Sequence, residues 1–151
     1  MGYYQTGTPA DELWTFGLLS CIAIAAVGTA DEQQGIDKVM AHVVAIRQEP
    51  DGSYGPMFFQ QFDTWETAVR DAKMRDVKMY LSVPETDVNL DAPDAMRDMV
   101  NRAREACARI NGQLVHTTVR RNEDACKPPP FGAAEVKLNK DVFIEGAKVS
   151  S

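Results

Sequence analysis

The chain is poor in the residues that most often carry chemistry. It has three cysteines, Cys21, Cys107 and Cys126, and two histidines, His42 and His116, in 151 residues. An odd number of widely spaced thiols excludes a fully paired disulfide framework, and the spacings match no zinc-finger pattern. Free thiols in a reducing, cytoplasmic setting are the simplest expectation. Glycine and proline, at 10 and 8, are too few for a fibrous or low-complexity chain. Basic residues are outnumbered 16 to 22, leaving a net charge of −6. That balance argues against a sequence-independent nucleic-acid binder, which needs cationic surface to displace counterions from phosphates. No nucleic-acid partner is expected.

Long apolar runs are also lacking. Leu13 to Val27 (LWTFGLLSCIAIAAV) falls short of the roughly 18–20 residues that cross a bilayer, so no membrane span is expected. Residues 1–12 carry no Lys or Arg and end in Asp11-Glu12, unlike the positive start of a secretory signal. The opening Met1-Gly2-Tyr3-Tyr4-Gln5-Thr6 fits the degenerate acylation pattern M-G-x-x-x-[ST]. A flexible terminus over residues 1–8 is the preferred reading. What remains is ordinary globular material, 44% hydrophobic and 25% charged, enough for one domain over 1–151.

Along the chain, Thr8-Pro9-Ala10-Asp11 reads as a helical turn with Thr8 as cap. Phe16–Val27 and Asp37–Ile46 read as neighbouring strands separated by the polar turn Thr29–Gly35. Glu49–Gly55 is a turn cluster and Met57-Phe58-Phe59 a short apolar segment. Asp63-Thr64-Trp65-Glu66 has the form of a capping box opening a helix to about Met74, with Trp65, Val69 and Ala72 inward. Val77–Val83 is a strand stopped by Pro84. Met96, Met99, Val100, Ala103, Cys107 and Ile110 form a helical stripe from Asp91 or Asp94 to Gly112. Leu114–Arg120 and Val142–Val149 are strands, and Lys127-Pro128-Pro129-Pro130 between them is an extended loop. The order β-β-α-β-α-β-β predicts an α/β fold, a single-domain layered sandwich of mixed sheet with two main helices.

No glycine-rich phosphate loop, H-E-x-x-H, C-x-x-C or calcium loop is present. The reactive groups are therefore Cys21, His42 and His116. A cysteine nucleophile needs a base to take its proton, because the thiolate is the attacking species. Cys21 lies at the mouth of one predicted strand and His42 in the middle of the next, so neighbouring strands would let the two meet. A buried cysteine in an apolar strand is usually a small hydrophobe. Cys107 on its apolar stripe reads as core and Cys126 as an exposed spectator. His116 shares a strand face with Leu114 and Thr118. Arg120-Arg121, beside Glu123 and Asp124, reads as a solvated turn.

Thr15-Phe16-Gly17-Leu18-Leu19-Ser20-Cys21-Ile22-Ala23-Ile24 resembles the T-x-G-L-G-S-C-V-x-V segment of the CheD-type receptor glutamine deamidases. Ala41-His42 resembles the family's histidine segment, and residues 13–46 carry the likeness. The resemblance implies an α/β sandwich shared with toxin deamidases of the cytotoxic necrotizing factor type. It implies Cys21 as nucleophile, His42 as general base and Thr15 as the partner that orients the imidazole. Ser20 and Leu19 would lie at the oxyanion and substrate position. No metal or organic cofactor is implied, and the partner would be a protein presenting a glutamine side chain. Leu19, Lys38 and Val39 stand where the family has glycines. The alternative is therefore a catalytically inactive interaction module of the same fold.

Overall fold

A computed structural model describes residues 3–45, 55–85, 93–124 and 127–151, with backbone alone over 93–96. Among them are nine strands in two sheets and two α-helices. The strands are β1 (Tyr3–Gly7), β2 (Leu13–Thr15), β3 (Ile22–Thr29), β4 (Lys38–Val43), β5 (Arg75–Pro84), β6 (Gly112–Arg120), β7 (Ala134–Val136), β8 (Val142–Ile144) and β9 (Ala147–Lys148). The helices are α1 (Pro56–Ala72) and α2 (Pro93–Ala108). The larger sheet has the order β1-β4-β3-β5-β6, antiparallel except for β5 and β6, and the smaller has the order β2-β7-β8-β9. The fold is mixed α/β.

The apolar run read as a strand over Phe16–Val27 becomes the central strand β3 only from Ile22, and it is buried on both faces. Ile22, Ile24 and Ala26 pack with Phe58, Phe62, Trp65 and Val69 of α1 and with Met99, Ala103 and Cys107 of α2. Ala23, Ala25 and Val27 pack with Leu13, Val136, Val142 and Ile144 of the small sheet. Alternation along one strand thus supplies two cores, and three layers follow: helices, large sheet, small sheet.

Several local expectations are corrected. Helix α1 begins seven residues before the supposed capping box, at Pro56 after Gly55. Phe58, Phe62, Trp65, Val69 and Ala72 already form one inward stripe at helical spacing, and Met57-Phe58-Phe59 is its first turn. Asp63 instead meets Arg102 at 2.6 Å, and Glu66, nearly buried, meets Arg109 at 2.6 Å. Residues 3–7, expected to be unstructured, form the edge strand β1 paired to β4. Thr8–Asp11 is an isolated turn, closed by the Asp11 amide on the Thr8 carbonyl at 3.0 Å. Val142–Val149 is a hairpin rather than one strand, turning at Glu145-Gly146. The proline segment folds into turns, with the amides of Phe131 and Ala133 bonded to the carbonyls of Pro128 and Pro130. The Glu49–Gly55 cluster, except Gly55, and Cys126 lie outside the described residues. No helix among the described residues is long and apolar enough to cross a membrane.

Candidate active site

The pairing register lines up one row of residues across the large sheet. Tyr3 stands opposite His42, His42 opposite Ala23, Ala23 opposite Ser82, and Ser82 opposite Thr118. Ala23 belongs to the core beneath the small sheet, so the row faces that layer. Cys21 immediately precedes β3 and also packs, partly buried, against that core. It therefore lies diagonally from His42. Diagonal neighbours in an antiparallel pair stand about 7–8 Å apart, within reach of an aromatic side chain, and Ala23 between them adds only a methyl group.

Thr15 reaches the row from the other layer. In β2 the side chains alternate, with Leu13 and Thr15 buried and Trp14 exposed. The Thr15 Oγ1 atom lies 2.8 Å from His42 Nδ1 and 2.7 Å from the Tyr3 hydroxyl. This engages Nδ1 and leaves Nε2 as the nitrogen available for proton exchange. The Tyr3 ring leans over the imidazole, with centroids 5.5 Å apart. Burial holds His42 below its ordinary pKa, and the Arg120 charge adds to the effect. A neutral imidazole at neutral pH can accept a proton.

The turn that delivers Cys21 depends on special backbone. Gly17 has φ of +74°, a left-handed conformation that a side chain would strain. The next amide, that of Leu18, donates to the Gly132 carbonyl at 3.1 Å, fastening the turn to the segment before β7. Gly132 also has positive φ, and a Cβ there would meet the Leu18 nitrogen at 3.3 Å. The Leu19 amide donates to the Gly17 carbonyl at 3.0 Å, so it is already engaged, and the Leu19 side chain faces outward. Ser20, also at the turn, is half-buried.

The arginine read as part of a solvated turn lies inside. Arg120 is 4% exposed, while Arg121 takes the solvated place and pairs with Glu123 at 3.2 Å. From the end of β6 the Arg120 guanidinium crosses Ser82 of β5, donating to its Oγ at 2.7 Å, and reaches the carbonyl oxygens of Cys21 and Leu19. Tyr3 and Arg120 are the two site neighbours that sequence reasoning did not select. Arg120 ends β6 in register with Pro84.

The other scarce groups stand apart. Cys107 is buried in the helix-side core, where burial and then the Glu66 charge push its thiol up to about 12. His116 is exposed on β6. Among the described residues no cluster of three or more His, Cys, Asp or Glu could hold a metal ion. A narrow groove of about 10 Å³ runs past Leu18, Leu19, Arg120, Gly132 and Glu145. It is smaller than the roughly 300–1,000 Å³ usual for a small-molecule site. No family model matches the chain, and no curated protein matches it.

Proposed function

We propose that this chain is a cysteine-dependent amidohydrolase that converts glutamine side chains of a protein substrate to glutamate. The observation that carries the reading is the Thr15–His42 contact of 2.8 Å, on the sheet face against which Cys21 packs. The Thr15-to-Cys21 segment that resembles the deamidase motif supports it. A cytoplasmic location is part of this reading.

In this reading His42 takes the Cys21 proton, and the thiolate adds to the carboxamide carbon. The tetrahedral oxyanion is held by backbone N–H donors at the Ser20–Cys21 turn. The imidazolium returns its proton to the departing nitrogen, the C–N bond breaks, and ammonia leaves a thioester on Cys21. His42 then draws a proton from water, hydroxide adds to the thioester carbon, and the C–S bond breaks to free glutamate and the thiolate. The net reaction consumes one water and releases one ammonia per glutamine. The test is ammonia release from glutamine-bearing polypeptides such as casein by wild type and Cys21→Ser. Release that requires Cys21 supports the proposal, and release unchanged in the variant refutes it.

One observation favours the alternative, an inactive interaction module. The Leu19 amide is spent on the Gly17 carbonyl, removing a donor expected near the oxyanion. Absence of any glutamine conversion together with intact fold decides for that module.

A further inference from the structure

Three partly or wholly buried cations of this chain meet carboxylates at contact distance. Lys38 meets Asp37 at 2.6 Å, Arg109 meets Glu66 at 2.6 Å, and Arg102 meets Asp63 at 2.6 Å. Arg120 differs. It is 4% exposed, and its hydrogen bonds run to a hydroxyl and two carbonyls, those of Ser82, Cys21 and Leu19. Among the described residues no carboxylate forms a salt bridge with it. A buried charge is costly unless it is paired, so a guanidinium left with neutral acceptors beside a thiol needs a reason.

We propose that Arg120 is a positioning residue for Cys21, which pins the Leu19–Cys21 turn through its carbonyls and stabilises the thiolate with its buried positive charge. The inference rests on the assignment of Cys21 as nucleophile. Two effects follow from the geometry. A trans peptide sets its N–H opposite its C=O, so drawing the Leu19 carbonyl toward Arg120 turns the Ser20 N–H the other way. The same guanidinium lies in a low-dielectric interior, where its attraction for an anion is strongest. The charged groups lining the adjoining groove are Arg120, Arg121, Asp124 and Glu145, with His42 on the neighbouring strand. Arg121 is paired to Glu123 and Asp124 to Lys127, which leaves Arg120 and Glu145 to set the local field. Burial draws the Arg120 pKa down to about 10, with Glu145 and Cys21 opposing that shift, so it stays charged at neutral pH.

The experiment is pH-dependent iodoacetamide labelling of Cys21, followed by peptide mass mapping, with the His42 titration followed by NMR. In the wild type the Cys21 half-point lies below the ordinary thiol value of about 8.5. Removing a cation raises the pKa of both neighbours, so Arg120→Gln shifts Cys21 and His42 upward together. A shift of one pH unit slows Cys21 labelling at pH 7 about tenfold. Arg120→Lys, which keeps the charge, retains a low half-point. A wild-type half-point at or above about 8.5 overturns the proposal even if Arg120→Gln does not fold. So does a folded Arg120→Gln protein with both titrations unchanged. Neither titration needs a substrate, so this inference and the amidase reading can fail separately.

Discussion

The Thr15 hydroxyl and the His42 imidazole, held in different sheets, meet at 2.8 Å. That contact, with the Tyr3 hydroxyl on the same Thr15 oxygen at 2.7 Å, ties the two layers together. Its chemical consequence is a fixed ring orientation, with Nδ1 turned to Thr15 and Nε2 left for proton exchange.

Removing the contact should therefore cost activity more than stability. Thr15→Val keeps the shape and β-branching but withdraws the hydroxyl. Ammonia release should fall roughly 10–100-fold, less than the largest losses of about 10⁴ from deleting a general base, and Thr15→Ser should restore most of it. A melting curve that moves little in Thr15→Val, alongside the lost rate, separates orientation from collapse. Full activity in Thr15→Val contradicts the assigned role.

The pH dependence follows from His42. Its folded-state pKa is lowered, first by burial and then by Arg120. The unfolded chain consequently takes up the proton first as pH falls. Above the unfolded value of about 6.5 the group costs nothing; below it stability drops until the folded pKa is also passed. The acidic limb of the rate profile should likewise lie below about pH 6.5. NMR titration of the His42 ring checks both statements, and a value above that of a free imidazole contradicts them.

The thiols should differ sharply in reactivity. Cys107, 3% exposed with its thiol pushed up to about 12, should resist alkylation in the native protein at neutral pH and react only on unfolding. Peptide mapping after brief iodoacetamide treatment reads this directly. Labelling of native Cys107 as fast as Cys21 contradicts the packing described for α2.

Lys38 is wholly buried, its ammonium donating to Asp37 at 2.6 Å and to the Thr8 carbonyl at 2.7 Å. Asp37→Ala strands that charge and should destabilise the fold by about 3–5 kcal/mol. For a chain of this size the melting temperature should drop by roughly 6–20 °C. A thermal melt shifted by less than about 2 °C contradicts the pairing.

How far the sequence spoke depended on the length and polarity of each element. The β3–β4 pair, the stripe of α2 through Met99, Ala103 and Cys107, and the α/β class were all legible, because long apolar patterns have few alternatives. The three-residue strands β2 and β7 are too short to show alternation. Strand β1, with Gln5, Thr6 and Gly7, reads as a loop until β4 supplies its hydrogen bonds. The start of α1 was obscured because Asp63 and Glu66 imitate a cap, although Gly55-Pro56 was the true opening and both carboxylates serve as partners for arginines of α2 and the segment after it. Arg120 was misread for a tertiary reason: its neighbours in sequence are charged, but its neighbours in space are the carbonyls of a turn about a hundred residues earlier. Tyr3 was hidden in the same way, its hydroxyl meaningful only beside Thr15.

The proposed chemistry is tested most directly by mass-spectrometric detection of glutamine-to-glutamate conversion in casein treated with wild type, Cys21→Ser and His42→Ala proteins. The expected result is conversion with ammonia release by the wild type and loss of both in each variant. Conversion that persists in Cys21→Ser, or none in the folded wild type, contradicts it.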